Sequence, residues 1–160
     1  MQAVLVAGTV CLALAQFDTC WQGHSDCPSC SGFAGTLNFT SNIGLFSAFP
    51  TLARTLDVEG QVNAGSDGLK FSGGTLTVEP QGNYDLSGSS IYNIGGTNTI
   101  NITGTLNKSG SGTSSIAVAV ADSGTIYAQA GTMAFNGGYT QTGGALDLHG
   151  GNVSSSSTST

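Results

Sequence analysis

A chain of 160 residues is long enough for one domain and short for two. Only 8% of its residues are charged, against about 25% in an ordinary soluble domain, so solubility must rest on Ser, Thr, Asn and Gln. The 3 basic and 9 acidic side chains leave a net charge of −6, which repels phosphate backbones and anionic membrane surfaces and excludes nucleic acid as a partner.

Residues 3–15 form an apolar run without a charge, shorter than the ~20 residues that span a bilayer as a helix. The run closes on Ala13-Leu14-Ala15, the small-x-small pattern of a signal-peptidase site, with Gln16 as the first mature residue. Residues 1–15 therefore read as a secretory signal, although no Lys or Arg follows Met1; the alternative is a first strand or helix of the domain. The signal reading implies an extracellular or cell-surface protein with no membrane insertion after cleavage. Val10 before Cys11 speaks against a lipoprotein box.

Residues 16–50 read as a Cys- and Phe-rich N-terminal cap. Cys20-Trp21-Gln22-Gly23-His24-Ser25-Asp26-Cys27-Pro28-Ser29-Cys30 is its densest cluster. A disulfide among Cys20, Cys27 and Cys30 suits an oxidising compartment. Two other readings compete with it: a tetrahedral zinc site from three thiolates and His24, which lacks a second knuckle, and a Cys27/Cys30 redox pair, which lacks the βαβ setting that activates one. No cofactor is implied. Trp21, the single tryptophan, is expected to cover an apolar end rather than stack a sugar.

Gly35-Thr36-Leu37-Asn38-Phe39, then Ile43 and Leu45, then Thr55-Leu56-Asp57-Val58-Glu59 read as the first short strands, with Gly60 ending the third. Phe46, Phe49, Pro50 and Leu52 lie between the last two, in a segment expected to be a short helix or a bulky loop over one end. Residues 51–153 then read as the repeats. Apolar rows at Leu69/Phe71, Leu76/Val78, Tyr84/Leu86, Ile91/Ile94, Ile100/Ile102, Leu106, Ile116 to Val120, Ile126, Met133/Phe135, Leu146/Leu148 and Val153 recur every seven to ten residues, about one short strand plus a corner. Gly104, Gly124 and Gly144 stand twenty residues apart, which suits a coil of two or three strands. No such unit can bury its apolar row alone, so the units must stack. The expected fold is all-β: a parallel, right-handed β-helix of roughly five or six coils with an N-terminal cap. An antiparallel sandwich of about seven strands is the runner-up. Residues 154–160 are a Ser/Thr tail.

The stretch Asn101-Ile102-Thr103-Gly104-Thr105-Leu106-Asn107-Lys108-Ser109-Gly110-Ser111-Gly112-Thr113-Ser114-Ser115-Ile116, with Ser123-Gly124-Thr125-Ile126 and Ala130-Gly131-Thr132-Met133 after it, resembles the G-T-L-x-K-x-G-x-G-T repeats of bacterial autotransporter passengers and related surface proteins. The resemblance covers about residues 70–153 and leaves out the Cys-rich start. It implies a β-helical stalk and a surface location, and carries over no catalytic residue.

Candidates for chemistry are few. Asp57 and Glu59 are the one acidic pair at strand spacing, which would point both to one side with Arg54 nearby; a solvated surface explains them better than a polysaccharide-cleaving site does. Lys108 precedes the glycines of residues 109–113, the wrong order for a phosphate-binding loop. Asn38, Asn101, Asn107 and Asn152 each open an N-x-Ser/Thr sequon and would accept glycans in a eukaryotic secreted chain. The favoured function is a structural or adhesive solenoid that binds surface glycans or self-associates. The alternatives are a carbohydrate-active β-helix enzyme and an ice-binding solenoid, the last suggested by Thr75-Leu76-Thr77 and Thr97-Asn98-Thr99.

Overall fold

A computed structural model describes residues 51–64 and 68–156 in full, together with the backbone of five earlier strands, Leu5–Val6, Thr9–Leu14, Phe17–Trp21, Thr36–Phe39 and Ile43–Gly44. The chain is a β-solenoid built as three six-stranded sheets, each strand pairing in parallel with its counterpart one coil away. The first sheet takes Thr36–Phe39, Thr55–Val58, Thr75–Val78, Thr99–Ile102, Ala119–Asp122 and Tyr139–Gln141. The second takes Ile43–Gly44, Gln61–Asn63, Asn83–Asp85, Thr105–Lys108, Thr125–Ala128 and Ala145–Leu148. The third takes Thr51–Leu52, Leu69–Ser72, Ile91–Gly95, Thr113–Ile116, Thr132–Phe135 and Asn152–Ser155. Parallel pairing throughout these sheets rules out the antiparallel sandwich. The three earliest strands form a separate antiparallel sheet in which Cys11 lies opposite Cys20; Cys27, Cys30 and Phe46 to Pro50 fall outside the described residues.

Alternation along each strand sends every second side chain inward. Leu56, Leu76, Ile100 and Val120 share one register position and are buried, and Val62, Tyr84, Leu106 and Ile126 do the same on the second sheet. With Leu69, Phe71, Ile91, Ile116, Met133 and Phe135 from the third sheet they make one continuous core along the axis.

The corner between the first and second sheets explains the twenty-residue spacing of Gly104, Gly124 and Gly144. Gly60 and Gly82 stand in the same column, each 22 residues before the next glycine, and from Asn83 onward the residue after each glycine donates its N–H to the glycine carbonyl one coil earlier, for instance Thr105 to Gly82 at 3.0 Å and Thr125 to Gly104 at 2.8 Å. A Cβ on Gly104 would sit 2.0 Å from the Glu79 carbonyl oxygen, and one on Gly124 would sit 2.2 Å from that of Gly104. The coils approach too closely there for any other residue. Just before these glycines, Thr103, Ser123 and Thr142 donate their hydroxyls to the carbonyls of Val78, Ile102 and Asp122 in the coil below. Carbonyls at the ends of Thr75–Val78, Thr99–Ile102 and Ala119–Asp122 are satisfied in this way, whereas that of Val58 accepts the Glu79 N–H.

One coil is longer. Thr75 follows its partner Thr55 by 20 residues, whereas Thr99 follows Thr75 by 24. The excess appears as Pro80 and Gln81 in the first corner and as an outward excursion after Ile91, where the register slips between Asn93 and Gly95. Asn98 pins the excursion down. Its Oδ1 accepts from the N–H groups of Gly73 and Gly74 at 2.7 and 2.9 Å, while its Nδ2 donates to Asn93 Oδ1 at 3.0 Å and to the Gly95 carbonyl at 2.9 Å. The apolar row expected at Ile91 and Ile94 is therefore half correct: Ile91 is buried, but Ile94 is 55% exposed because the slip turns it outward. The helix considered near Leu52 is also absent from its described part, since Thr51–Leu52 is a strand of the third sheet with Leu52 buried. No helix of the described residues is long and apolar enough to cross a membrane.

Candidate functional surface

The outward positions of the first sheet form a regular lattice. Thr55, Thr75, Thr99 and Ala119 occupy one rank, and Asp57, Thr77, Asn101, Ala121 and Thr140 occupy the next. Within a rank, neighbours are one strand spacing apart, about 4.7–4.9 Å, and the two ranks are two residues apart along the strand. No bulge interrupts these pairings, and among the five fully described strands only Asp57 puts a charge outward. The second sheet is rougher, with Asn83, Asp85, Asn107, Tyr127 and Asp147 outward, and the third carries the excursion with exposed Tyr92 and Ile94.

Thr97-Asn98-Thr99 is not a rank of this lattice. Thr97 lies exposed in the corner, Asn98 is buried as the corner's hydrogen-bonding hub, and only Thr99 belongs to the strand. The threonine rank runs instead from coil to coil through Thr55, Thr75 and Thr99, a pattern visible in the sequence only after the coil length is known.

Asp57 and Glu59 do not share a strand face, because the strand ends at Val58 and Glu59 sits in the corner. The neighbour of Glu59 is Glu79, one coil up, and the two line a notch of about 360 Å³ with Pro80 and Gln81. Among the described residues, no group of three or more His, Cys, Asp or Glu side chains converges as a metal site would require. His149 lies exposed beside Tyr127, ring centroids 6.1 Å apart. Of the sequon asparagines, Asn107 is 7% exposed, Asn101 is half-buried in the first-sheet lattice, and Asn152 is exposed on the last coil. Only the backbone of Asn38 is described, in register with Asp57.

Two formally charged side chains, Lys108 and Asp122, point inward among the described residues, which the sequence reading missed. Lys108 occupies the column of Leu86 and Ala128 and is fully buried. Its ammonium donates to the carbonyl oxygens of Ser87 at 2.6 Å, Ser111 at 3.4 Å and Gly110. Burial holds its pKa below the usual lysine value, opposed by the charge of Asp85. The loop after Lys108 thus turns carbonyls toward a cation, the opposite of a phosphate cradle. Asp122 stands in the column of Val58, Val78 and Ile102, also fully buried. It accepts from the Gly124 N–H at 3.0 Å and from the Tyr139 hydroxyl at 2.7 Å. Burial, that hydrogen bond and the Asp122 charge all raise the Tyr139 pKa well above the usual phenol range. Aligning Ala119-Val120-Ala121-Asp122 with Thr99-Ile100-Asn101-Ile102 was the available signal for the inward aspartate.

No family model, curated protein or solved structure matches this chain. Its architecture defines it as a β-helix repeat protein of parallel stacked coils.

Proposed function

We propose that this protein is a structural or adhesive solenoid of the extracellular space or cell surface that presents uncharged ladders to glycans. The observation that supports this is the first-sheet lattice of Thr55, Thr75, Thr99, Thr77 and Asn101, whose hydroxyls and amides recur at one strand spacing with no bulge. A glycan chain meeting such a face finds hydroxyl and amide partners at regular intervals, and the cost of ordering the face has already been met by folding. The repeat-level resemblance to autotransporter passengers and the apolar run at residues 3–15 support the same location. The test is binding of the purified chain to an immobilised panel of neutral and acidic glycans, with Thr77→Glu as the variant. Binding that this substitution reduces at least ~10-fold bears out the reading, since a carboxylate in mid-lattice must be desolvated. Binding untouched by it, or none at all, overturns it.

One observation favours a second reading. Three outward threonines in register on a bulge-free sheet also suit ordered water, so thermal hysteresis abolished by Thr77→Glu with no glycan bound would make this an ice-binding solenoid.

A further inference from the structure

Asn136-Gly137 is the one Asn–Gly step in the chain. With Gly138 it forms the corner that carries the third-sheet strand Thr132–Phe135 into the first-sheet strand Tyr139–Gln141. The fold imposes glycine on this asparagine. A Cβ at Gly137 would lie 2.4 Å from the carbonyl carbon of Val118 and 2.5 Å from the Val118 nitrogen, in the coil below. A glycine after asparagine is also the least hindered backbone nucleophile that a side-chain amide can meet, because no Cβ shields its nitrogen. Asn136 is exposed, yet both reacting groups are tied to the coil below. The Gly137 N–H donates to the Ile116 carbonyl at 3.0 Å, alongside the Asn136 N–H at 2.8 Å, and Asn136 Nδ2 donates to Ser115 Oγ at 2.6 Å.

We propose that Asn136 is a site of spontaneous deamidation and that this corner gates the reaction. The Gly137 nitrogen attacks Asn136 Cγ, so an N–Cγ bond forms and the Cγ–Nδ2 bond breaks; Nδ2 leaves as ammonia, carrying the proton that the Gly137 nitrogen gives up. Water then opens the five-membered imide. Attack at Cγ restores the backbone and leaves aspartate, while attack at the main-chain carbonyl leaves isoaspartate, whose backbone runs through Cβ and Cγ. Either product takes up one water for the ammonia lost, with no oxidation or reduction. While the corner is closed, Ile116 holds the nucleophile and Ser115 the leaving group, so attack proceeds from the opened corner and its rate scales with the open fraction. The two products differ in consequence. Phe135 and Tyr139 are held in register with Ile116 and Val120, and the link between them has no slack where Gly137 rests on Val118. Isoaspartate lengthens that link by one main-chain atom and displaces the donors from Ile116, which loosens Tyr139–Gln141 on Ala119–Asp122. Aspartate only adds a charge at an exposed position.

The test is peptide mapping by mass spectrometry of the whole chain, aged at mildly alkaline pH in native buffer and in guanidinium chloride. In denaturant, Asn136 should convert ahead of every other asparagine. In native buffer its conversion should be ~10-fold or more slower, in proportion to the open fraction. Ser115→Ala should raise the native rate severalfold and leave the denatured rate unchanged. Hydrogen exchange reads the consequence: amides of Tyr139–Gln141 should exchange faster in aged protein that carries isoaspartate, whereas Asn136→Asp should keep the protection of the parent. Earlier conversion of another asparagine in denaturant would overturn the site. Equal native and denatured rates, or a native rate that Ser115→Ala leaves unchanged, would overturn the gating. Isoaspartyl protein that exchanges like the parent would overturn the loosening of the coil.

Discussion

Two tyrosines, Tyr84 buried and Tyr139 partly buried, differ in a way that a single oxygen decides. Tyr84 is fully buried in an inward column, and its hydroxyl has no hydrogen-bond partner, whereas the hydroxyl of Tyr139 donates to the buried carboxylate of Asp122. An unpaired buried hydroxyl retains its desolvation cost, and removing the donor to a buried carboxylate leaves that carboxylate oxygen unsatisfied. The same substitution should therefore have opposite signs: Tyr84→Phe is expected to stabilise by about 1 kcal/mol and Tyr139→Phe to destabilise by about 1–3 kcal/mol. Urea denaturation of the two variants checks this, and equal losses would show that ring packing, not the hydroxyl, sets both. Alkaline titration is a second check. Burial raises both phenol pKa values above the ordinary 10.0, with Asp122 adding to the rise at Tyr139. The unfolded chain then releases these protons first. Stability from this source is complete below pH 10 and falls as pH rises beyond it toward the folded values. Tyrosinate absorbance from these two rings should accordingly appear together with unfolding rather than before it.

At the scale of the element, the coil is set by its corners more than by its strands. The stacked glycines between the first and second sheets leave no room for a Cβ, while Gly88, in the corner between the second and third sheets, has open space around that position and no positive φ. Gly124→Ala should cost about 2–4 kcal/mol through displaced backbone. Gly88→Ala should be neutral or stabilise by up to ~1 kcal/mol through the unfolded state. Comparable losses at both positions, measured as denaturation midpoints, would refute the close-approach account of the glycine period. The same contrast explains what the sequence disclosed. Period-two apolar rows follow from local rules and the twenty-residue glycine spacing repeats one inter-coil contact, so the parallel stack was legible from those rows together with Gly104, Gly124 and Gly144. The four-residue excess of the coil that starts at Thr75 was not: half of it lies at Pro80 and Gln81, and for the other half nothing local to Tyr92, Asn93 and Ile94 announces that Asn98 will hold a detour in place. The functional surface was less legible still. A rank such as Thr55, Thr75 and Thr99 consists of residues 20 and 24 positions apart, so one variable coil hides it, while Thr97-Asn98-Thr99 mimics it within a corner. Lys108 and Asp122 escaped for a related reason: a charged residue reads as exposed unless its register with Leu86 or Ile102 is known.

The described solenoid is a stack of coils, each packed on its neighbours, so stability should vary along the axis. Ile100 sits mid-stack, fully buried between Leu76 below and Val120 above, whereas Val153 belongs to the last coil and is only partly covered. Removing methyl groups costs most where neighbours on both sides lose contacts and the site cannot collapse. Ile100→Ala is expected to lower global stability by about 2–5 kcal/mol, and Val153→Ala by less than about 1 kcal/mol. Hydrogen exchange separates these cases better than a single melting curve. Amides of Thr99–Ile102 should exchange only through global opening and accelerate in the Ile100 variant. Those of Ala145–Leu148 and Asn152–Ser155 should exchange through fraying of the end coil and accelerate in the Val153 variant without any change at Thr99–Ile102. Uniform acceleration of all three segments by Val153→Ala would mean that the stack opens as one unit, and that the last described coil is no weaker than the middle.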